Sequence, residues 1–233
     1  MRLIGLLCLL VLPLAAAPWH FASGTTRTTV LELYSSEGCS SCPPAESWLA
    51  GLREAPGLWR DFVPVSFHVA YWDRLGWRDR FASQQFTARQ YAYADQWRSN
   101  SVYTPGFVLN GAEWRQSSSP PARSAETASP LVVEYADDGQ CRVRFAAAGD
   151  FEISAALLGG GIVSSVGAGE NAGRTLHHEF VALRLESAPL VNGAATLNLP
   201  AAAVTGVSRR ALAVWVTRRG ELTPLQATGG WLD

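Results

Sequence analysis

Apolar and polar positions along this 233-residue chain change period several times, and each change marks an element. Residues 29–34 form an apolar run, Thr29-Val30-Leu31-Glu32-Leu33-Tyr34, short enough for a buried strand. Residues 45–54 carry Trp48, Leu49 and Leu52 on one side, a helix ended near Pro56-Gly57. Residues 62–70 alternate strictly. Val63, Val65, Phe67 and Val69 fall on one face and Pro64, Ser66 and His68 on the other, which is the strand period. A helical stripe returns at 84–98, where Ala82, Phe86, Tyr93 and Trp97 align behind Ser83 as N-cap. Thr104-Pro105 then introduces a strand at 107–109, closed by the turn Asn110-Gly111. Strand, helix, strand, helix, strand implies a right-handed crossover and a sheet that begins parallel.

Residues 117–130 are small, polar and Pro-rich, which predicts a linker. Beyond them the pattern is short strands at 131–135, 141–146, 151–158, 175–185, 195–199, 211–217 and 222–226, with Asp137-Asp138-Gly139 as a hairpin signal. No helical period of useful length follows. The expected organisation is therefore an α/β domain at 27–116, the linker, and an all-β, sandwich-like domain at 131–233.

The N-terminus reads Met1-Arg2, an apolar stretch from Leu3 to Leu14, then Ala15-Ala16-Ala17. This is the pattern of a cleaved secretory signal peptide at 1–17, too short for a membrane span of about 20 residues. No later segment is long and apolar enough to span, so a soluble exported chain is expected, with Cys8 discarded. Arginine carries every basic charge, there is no lysine, and Ala and Gly are abundant, a composition that suggests a GC-rich bacterial genome and a periplasmic or secreted destination. A net charge of −1 argues against nucleic acid as partner, because phosphate binding needs a basic face.

The chemistry concentrates at Cys39-Ser40-Ser41-Cys42, placed where the first strand hands over to a helix. A helix start leaves unpaired N–H groups and a positive dipole end, which favours a thiolate, and the three-residue offset brings the sulfurs within disulfide reach. Pro43 and Pro44 fit early helical positions. C-x-x-C alone is weak evidence: half a zinc site and a structural disulfide share the spacing. A tetrahedral zinc site wants four ligands. The remaining candidates are Cys141, which reads as a buried strand residue, and four scattered histidines, so no metal and no cofactor is expected. His177 and His178 are strand neighbours facing opposite ways and cannot share a metal on one face. The Gly-rich stretches 159–161 and 167–173 open no helix and read as turns.

These residues carry a resemblance. The stretch from Leu31 through Cys39-Ser40-Ser41-Cys42-Pro43-Pro44-Ala45, then Phe67-His68-Val69-Ala70-Tyr71-Trp72-Asp73, Tyr103-Thr104-Pro105 and Gly169-Glu170-Asn171-Ala172-Gly173-Arg174, resembles a family of secreted bacterial thioredoxin-like proteins of unknown function, the DUF1223 type. The resemblance implies a thioredoxin fold for the N-terminal α/β domain. The chain departs from the family's pattern at Ala70, where an acidic residue is more usual, and in the short Ser/Pro-rich stretch at 117–130.

The leading functional expectation is a thiol–disulfide oxidoreductase acting on polypeptide thiols or disulfides, with Cys39 attacking from the exposed helix start and Cys42 resolving. Thr104-Pro105 is expected to be cis and to face the dithiol. Glu32, amid apolar neighbours, is either a proton acceptor for Cys42 or a structural glutamate, exposed at the strand end or paired with an arginine. His68 either packs or stabilises a thiolate, and Trp72 and Trp77 either pack or line a peptide groove. A non-catalytic thioredoxin-like binding module is the alternative, with copper delivery through Cys39, Cys42 and His68 a third idea.

Overall fold

The computed structural model describes residues 17–115, 119–201 and 204–232. The expected signal segment up to residue 16, Cys8 included, and Ser117 and Ser118 of the expected linker lie outside the described residues.

Fourteen strands and two α-helices follow in order among the described residues: β1 (Trp19–Ala22), β2 (Thr29–Ser35), α1 (Pro43–Gly51), β3 (Phe62–His68), α2 (Gln84–Trp97), β4 (Gly106–Leu109), β5 (Ala112–Trp114), β6 (Leu131–Tyr135), β7 (Gln140–Phe145), β8 (Phe151–Gly160), β9 (Ile162–Ser165), β10 (Thr175–His178), β11 (Val181–Pro189), β12 (Ala194–Asn198), β13 (Arg209–Arg218) and β14 (Gln226–Trp231). Local signals hold well in the first half. Ser83 caps α2 by accepting from Gln85 N–H at 3.1 Å. Asn110 and Gly111 both take positive φ, 48° and 85°, and turn β4 into β5. The expected strand at 175–185 is broken at Phe180, whose φ of 57° ends β10 and redirects the chain into β11.

The expected fold class is corrected. The chain does not divide into an α/β thioredoxin-like domain followed by an all-β domain; it is mostly strand, built around large sheets with few helices. One eight-stranded sheet runs β14-β13-β8-β11-β3-β2-β4-β5 and so contains strands from both sides of 117–130. Within it β2 pairs β3 in parallel and β3 meets β11 in parallel, while the remaining pairs are antiparallel. A four-stranded antiparallel sheet, β1-β6-β7-β12, and the hairpin β9–β10 complete the molecule.

The physical reason lies in the two long strands β8 and β13. Alternate residues on a strand face opposite ways. Ala156, Leu158, Ala213 and Trp215 join the core that also holds Leu31, Phe67 and Phe180. Ile153, Leu157, Leu212 and Val214 join a second core with Val133, Val143 and Leu197 of the four-stranded sheet. Both faces of β8 and β13 are thus apolar, and each strand serves as a wall between two cores. An apolar run of this kind is the signature of a strand covered on both sides, which a half-exposed sandwich strand lacks.

Candidate functional site

Cys39 and Cys42 form a disulfide, with Cα atoms 5.4 Å apart, in the segment between β2 and α1. Cys42 is the N-cap of α1 and its carbonyl accepts from Ala45 and Glu46 N–H. Both cysteines are fully buried, whereas Ser40 and Ser41 between them are exposed. The expectation that Cys39 lies open at the helix start is therefore corrected: the chain in front of the helix is folded under neighbouring segments.

Three segments surround the pair. Trp72, in a 3-10 turn at Ala70–Leu75, packs against Gly38 so closely that a Cβ there would sit 3.0 Å from the Trp72 Cβ, and its indole donates to Thr104 Oγ1 at 2.8 Å. The Thr104-Pro105 bond is cis, and Thr104 O accepts from Ser41 Oγ at 3.4 Å, the same hydroxyl that lies 3.4 Å from Cys39 Sγ. From the C-terminal half, buried Asn171 donates from Nδ2 to both Glu37 O and Cys39 O at 2.9 Å, and Glu170 accepts from Ser40 N–H at 3.1 Å. The 170–171 contribution was not read from the sequence as part of the site; its only trace was that Gly169–Arg174 belongs to the family-like blocks.

Glu32 is settled in favour of its arginine pairing. Arg89 of α2 grips it bidentately at 2.7 and 2.8 Å, and the Tyr34 and Tyr93 hydroxyls each donate to it at 2.7 Å. With all its near lone pairs taken, it has no free acceptor for a cysteine proton. Burial first, and the Glu32 charge second, push both tyrosine hydroxyls well above their usual range, so they remain donors.

Below the disulfide the interior holds an acid–imidazole cluster. Glu46, one helical turn after Cys42, bonds His178 Nδ1 and accepts from Ser35 Oγ. His68 Nδ1 lies 2.7 Å from Asp79 Oδ2, and its Nε2 is 3.7 Å from Glu46 Oε1. His178 Nε2 lies 3.3 Å from Glu37 Oε1, while Glu37 Oε2 accepts from the Trp77 indole at 2.7 Å. Asp79 also receives Glu37 N–H and Phe81 N–H, both at 2.9 Å. All five ionisable groups are buried. Burial opposes charge on each, but the pairings win: Asp79 is held down at about 2 chiefly by His68, and His178 is pushed up to about 10 by Glu46 and Glu37. His68 is raised by Asp79 and then Glu46, against its burial. Glu46 and Glu37 are lowered, against their burial, mainly through His178.

The structure thus places Cys39, Cys42 and Thr104-Pro105 together and sets Glu32 in a separate salt bridge. His68 faces Asp79 and Glu46. Trp72 and Trp77 pack and donate hydrogen bonds at the site's edge. The alternation argument for His177 and His178 holds, with His177 exposed and His178 buried. What it missed is that His178 meets a histidine from a different strand, at a ring-centroid distance of 5.2 Å. Cys141 is a buried β7 residue whose thiol is pushed up to about 12 by burial, which makes it inert. No helix among the described residues is long and apolar enough to cross a membrane.

Among protein families the chain matches the model described as "Protein of unknown function (DUF1223)", over residues 30–217. Among solved structures the chain is similar to protein AGR_C_4864 from Agrobacterium tumefaciens, at 21% identity and TM-score 0.59, over 89% of this chain and 94% of that one. It is also similar to HBP35 of Porphyromonas gingivalis, at 14% identity and TM-score 0.56, over 91% of this chain and 77% of that one. At these identities the likeness bears on fold alone. Comparison with curated proteins finds no match.

Proposed function

The chain belongs to the DUF1223 family, and we propose that it is an exported thiol–disulfide oxidoreductase that exchanges Cys39–Cys42 with polypeptide thiols. The observation that carries this reading is the disulfide itself, lying across the start of α1 with a hydroxyl donor, Ser41 Oγ, 3.4 Å from Cys39 Sγ. A short loop closed over three residues does little to restrain an unfolded chain, so stabilisation alone is a poor reason for it.

In the oxidised state a substrate thiolate attacks Cys39 Sγ, the Cys39–Cys42 bond breaks, and Cys42 leaves as a thiolate at the helix N-terminus, where the dipole favours it. A second substrate thiolate then attacks the substrate sulfur of the mixed disulfide and displaces Cys39. The substrate leaves as a disulfide, the protein holds two thiols, and two protons pass from substrate to protein sulfurs. The reverse sequence begins with a Cys39 thiolate and reduces a substrate disulfide. The Ser41 hydroxyl, which donates to Thr104 O in the oxidised protein, would turn to donate to a Cys39 thiolate 3.4 Å away. Access requires displacement of the Trp72 segment or of residues 170–171, because neither sulfur is exposed.

Burial of both sulfurs favours a second reading, a binding module with a passive disulfide. Turnover separates the two. The oxidoreductase reading expects reduced protein to accelerate insulin disulfide reduction with glutathione as recycling thiol, and Cys39→Ser and Cys42→Ser each to return the rate to background. A wild-type rate equal to background in both the oxidising and the reducing direction supports the passive disulfide instead.

A further inference from the structure

Glu46, His68 and His178 come from three elements, α1, β3 and β10, yet each offers one ligand atom within 4.8 Å of the others. We propose that they form a buried site for a divalent transition metal, zinc by its donor set, with two imidazole nitrogens and one carboxylate.

The geometry of each ligand supports this. His68 is held by Asp79 through Nδ1, which leaves Nε2 to face Glu46 at 3.7 Å without a hydrogen-bond partner. A protonated Nε2 in that position is a buried donor with no acceptor; a bare Nε2 lone pair is a ligand. His178 meets Glu46 through Nδ1 and has its other nitrogen 3.3 Å from Glu37. The Glu46 carboxylate accepts from Ser35 Oγ. His68 thus has an outer carboxylate partner, the carboxylate–histidine arrangement that accompanies bound zinc, and Glu46 an outer hydroxyl, while Glu37 stands 3.3 Å from His178 Nε2 without a hydrogen bond to it. Ligands about 2.1 Å from a tetrahedral zinc stand roughly 3.4 Å apart, so the His68–Glu46 separation needs a contraction of only a few tenths of an ångström, whereas the direct His178 Nδ1–Glu46 Oε2 hydrogen bond must open to admit the ion.

Charge balance alone does not choose between metal and protons. Three buried carboxylates face two imidazoles, and one divalent ion with neutral rings gives the same total as two imidazoliums. His68 Nε2, His178 Nε2 and Glu37 Oε1 all lack a hydrogen-bond partner, and of these His68 Nε2 is the one aimed at Glu46 and His178, which favours the metal. A surface groove of about 400 Å³ lined by Trp77, Arg78, Arg80, Val163 and Ser164 reaches Glu37, beside His178 but short of the three ligands themselves. Two nitrogens and one oxygen leave a fourth tetrahedral position open. The ion would tie the first turn of α1, and with it Cys42, to the strands beneath.

The test uses the mature chain without a histidine tag and with Cys39–Cys42 kept oxidised, so that thiols cannot supply ligands. The protein is unfolded with a chelator, refolded, and titrated with Co²⁺ and then Zn²⁺, while circular dichroism checks the fold. The expected result is one equivalent of Co²⁺ with visible d–d bands, displaced by Zn²⁺. His68→Gln and His178→Gln should abolish the bands, and His177→Gln should leave them unchanged. Asp79→Asn should weaken binding roughly 10–100-fold, as loss of an outer partner does. Refolded wild-type protein that takes up no Co²⁺ overturns the proposal, as does binding that persists in both His→Gln variants.

Discussion

Breaking the Glu32–Arg89 pair leaves a carboxylate or a guanidinium in a dry interior, since their side chains are only 1% and 11% exposed. Arg89→Leu should therefore cost about 3–5 kcal/mol of stability, read as a lower denaturant midpoint, because removal of one partner strands the other. Glu32→Gln should destabilise in the same direction and leave the rate of Cys39–Cys42 exchange within a factor of about two, a change worth less than 0.5 kcal/mol. A specific loss of exchange with stability intact would restore the proton-acceptor role. The arginine-paired fate of Glu32 stood among the alternatives legible in the sequence. The choice was not, because Arg89 lies 57 positions away on a helix whose facing side no strand pattern reveals. His68 and His178 were legible as strand residues, but their meeting depends on the placement of β10 against α1 and β3.

At the scale of elements, the segment around residues 170–171 joins the C-terminal half to the dithiol. Asn171 is fully buried and supplies two of the hydrogen bonds that hold the Cys39 region down. Asn171→Ala removes both, leaving Glu37 O without its donor and Cys39 O with only the Cys42 N–H at 3.3 Å. At about 1 kcal/mol each, their loss should raise the rate of disulfide reduction by a phosphine at least fivefold. An unchanged rate would show that these bonds do not govern access. The long periodic elements α2 and β3 could be read from sequence, while β14 could not. Its Thr228-Gly229-Gly230 gives no strand signal, because glycine has no side chain to show a period. The structure explains the glycines: a Cβ on Gly229 would lie 2.3 Å from Leu212 O, and one on Gly230 equally near the Phe21 ring. Close strand and ring approach there requires the absence of side chains, and so hides the strand from a reading based on them.

The whole molecule is organised by the eight-stranded sheet, and β8 and β13 place alternate residues in two cores. A chain whose two cores share their wall should unfold as one unit, so fluorescence of the N-terminal tryptophans and far-ultraviolet circular dichroism should report a single coincident transition. Two resolved transitions would instead support independent halves divided at 117–130. The sequence signal for that division was a real change of texture from helical to strand period, but texture does not say which strands share a sheet. Pairing of β3 with β11 spans more than a hundred residues and leaves no local mark. Trapping shows whether Cys39–Cys42 is an exchanging pair with Cys39 as the attacking sulfur. Reduced Cys42→Ser protein is mixed with a disulfide-bonded polypeptide and analysed by non-reducing electrophoresis and mass spectrometry. The predicted result is a covalent adduct through Cys39 that a thiol reductant releases, with far less adduct for Cys39→Ser. No adduct from either variant would contradict exchange, and a stronger adduct through Cys42 would reverse the assignment of the two sulfurs.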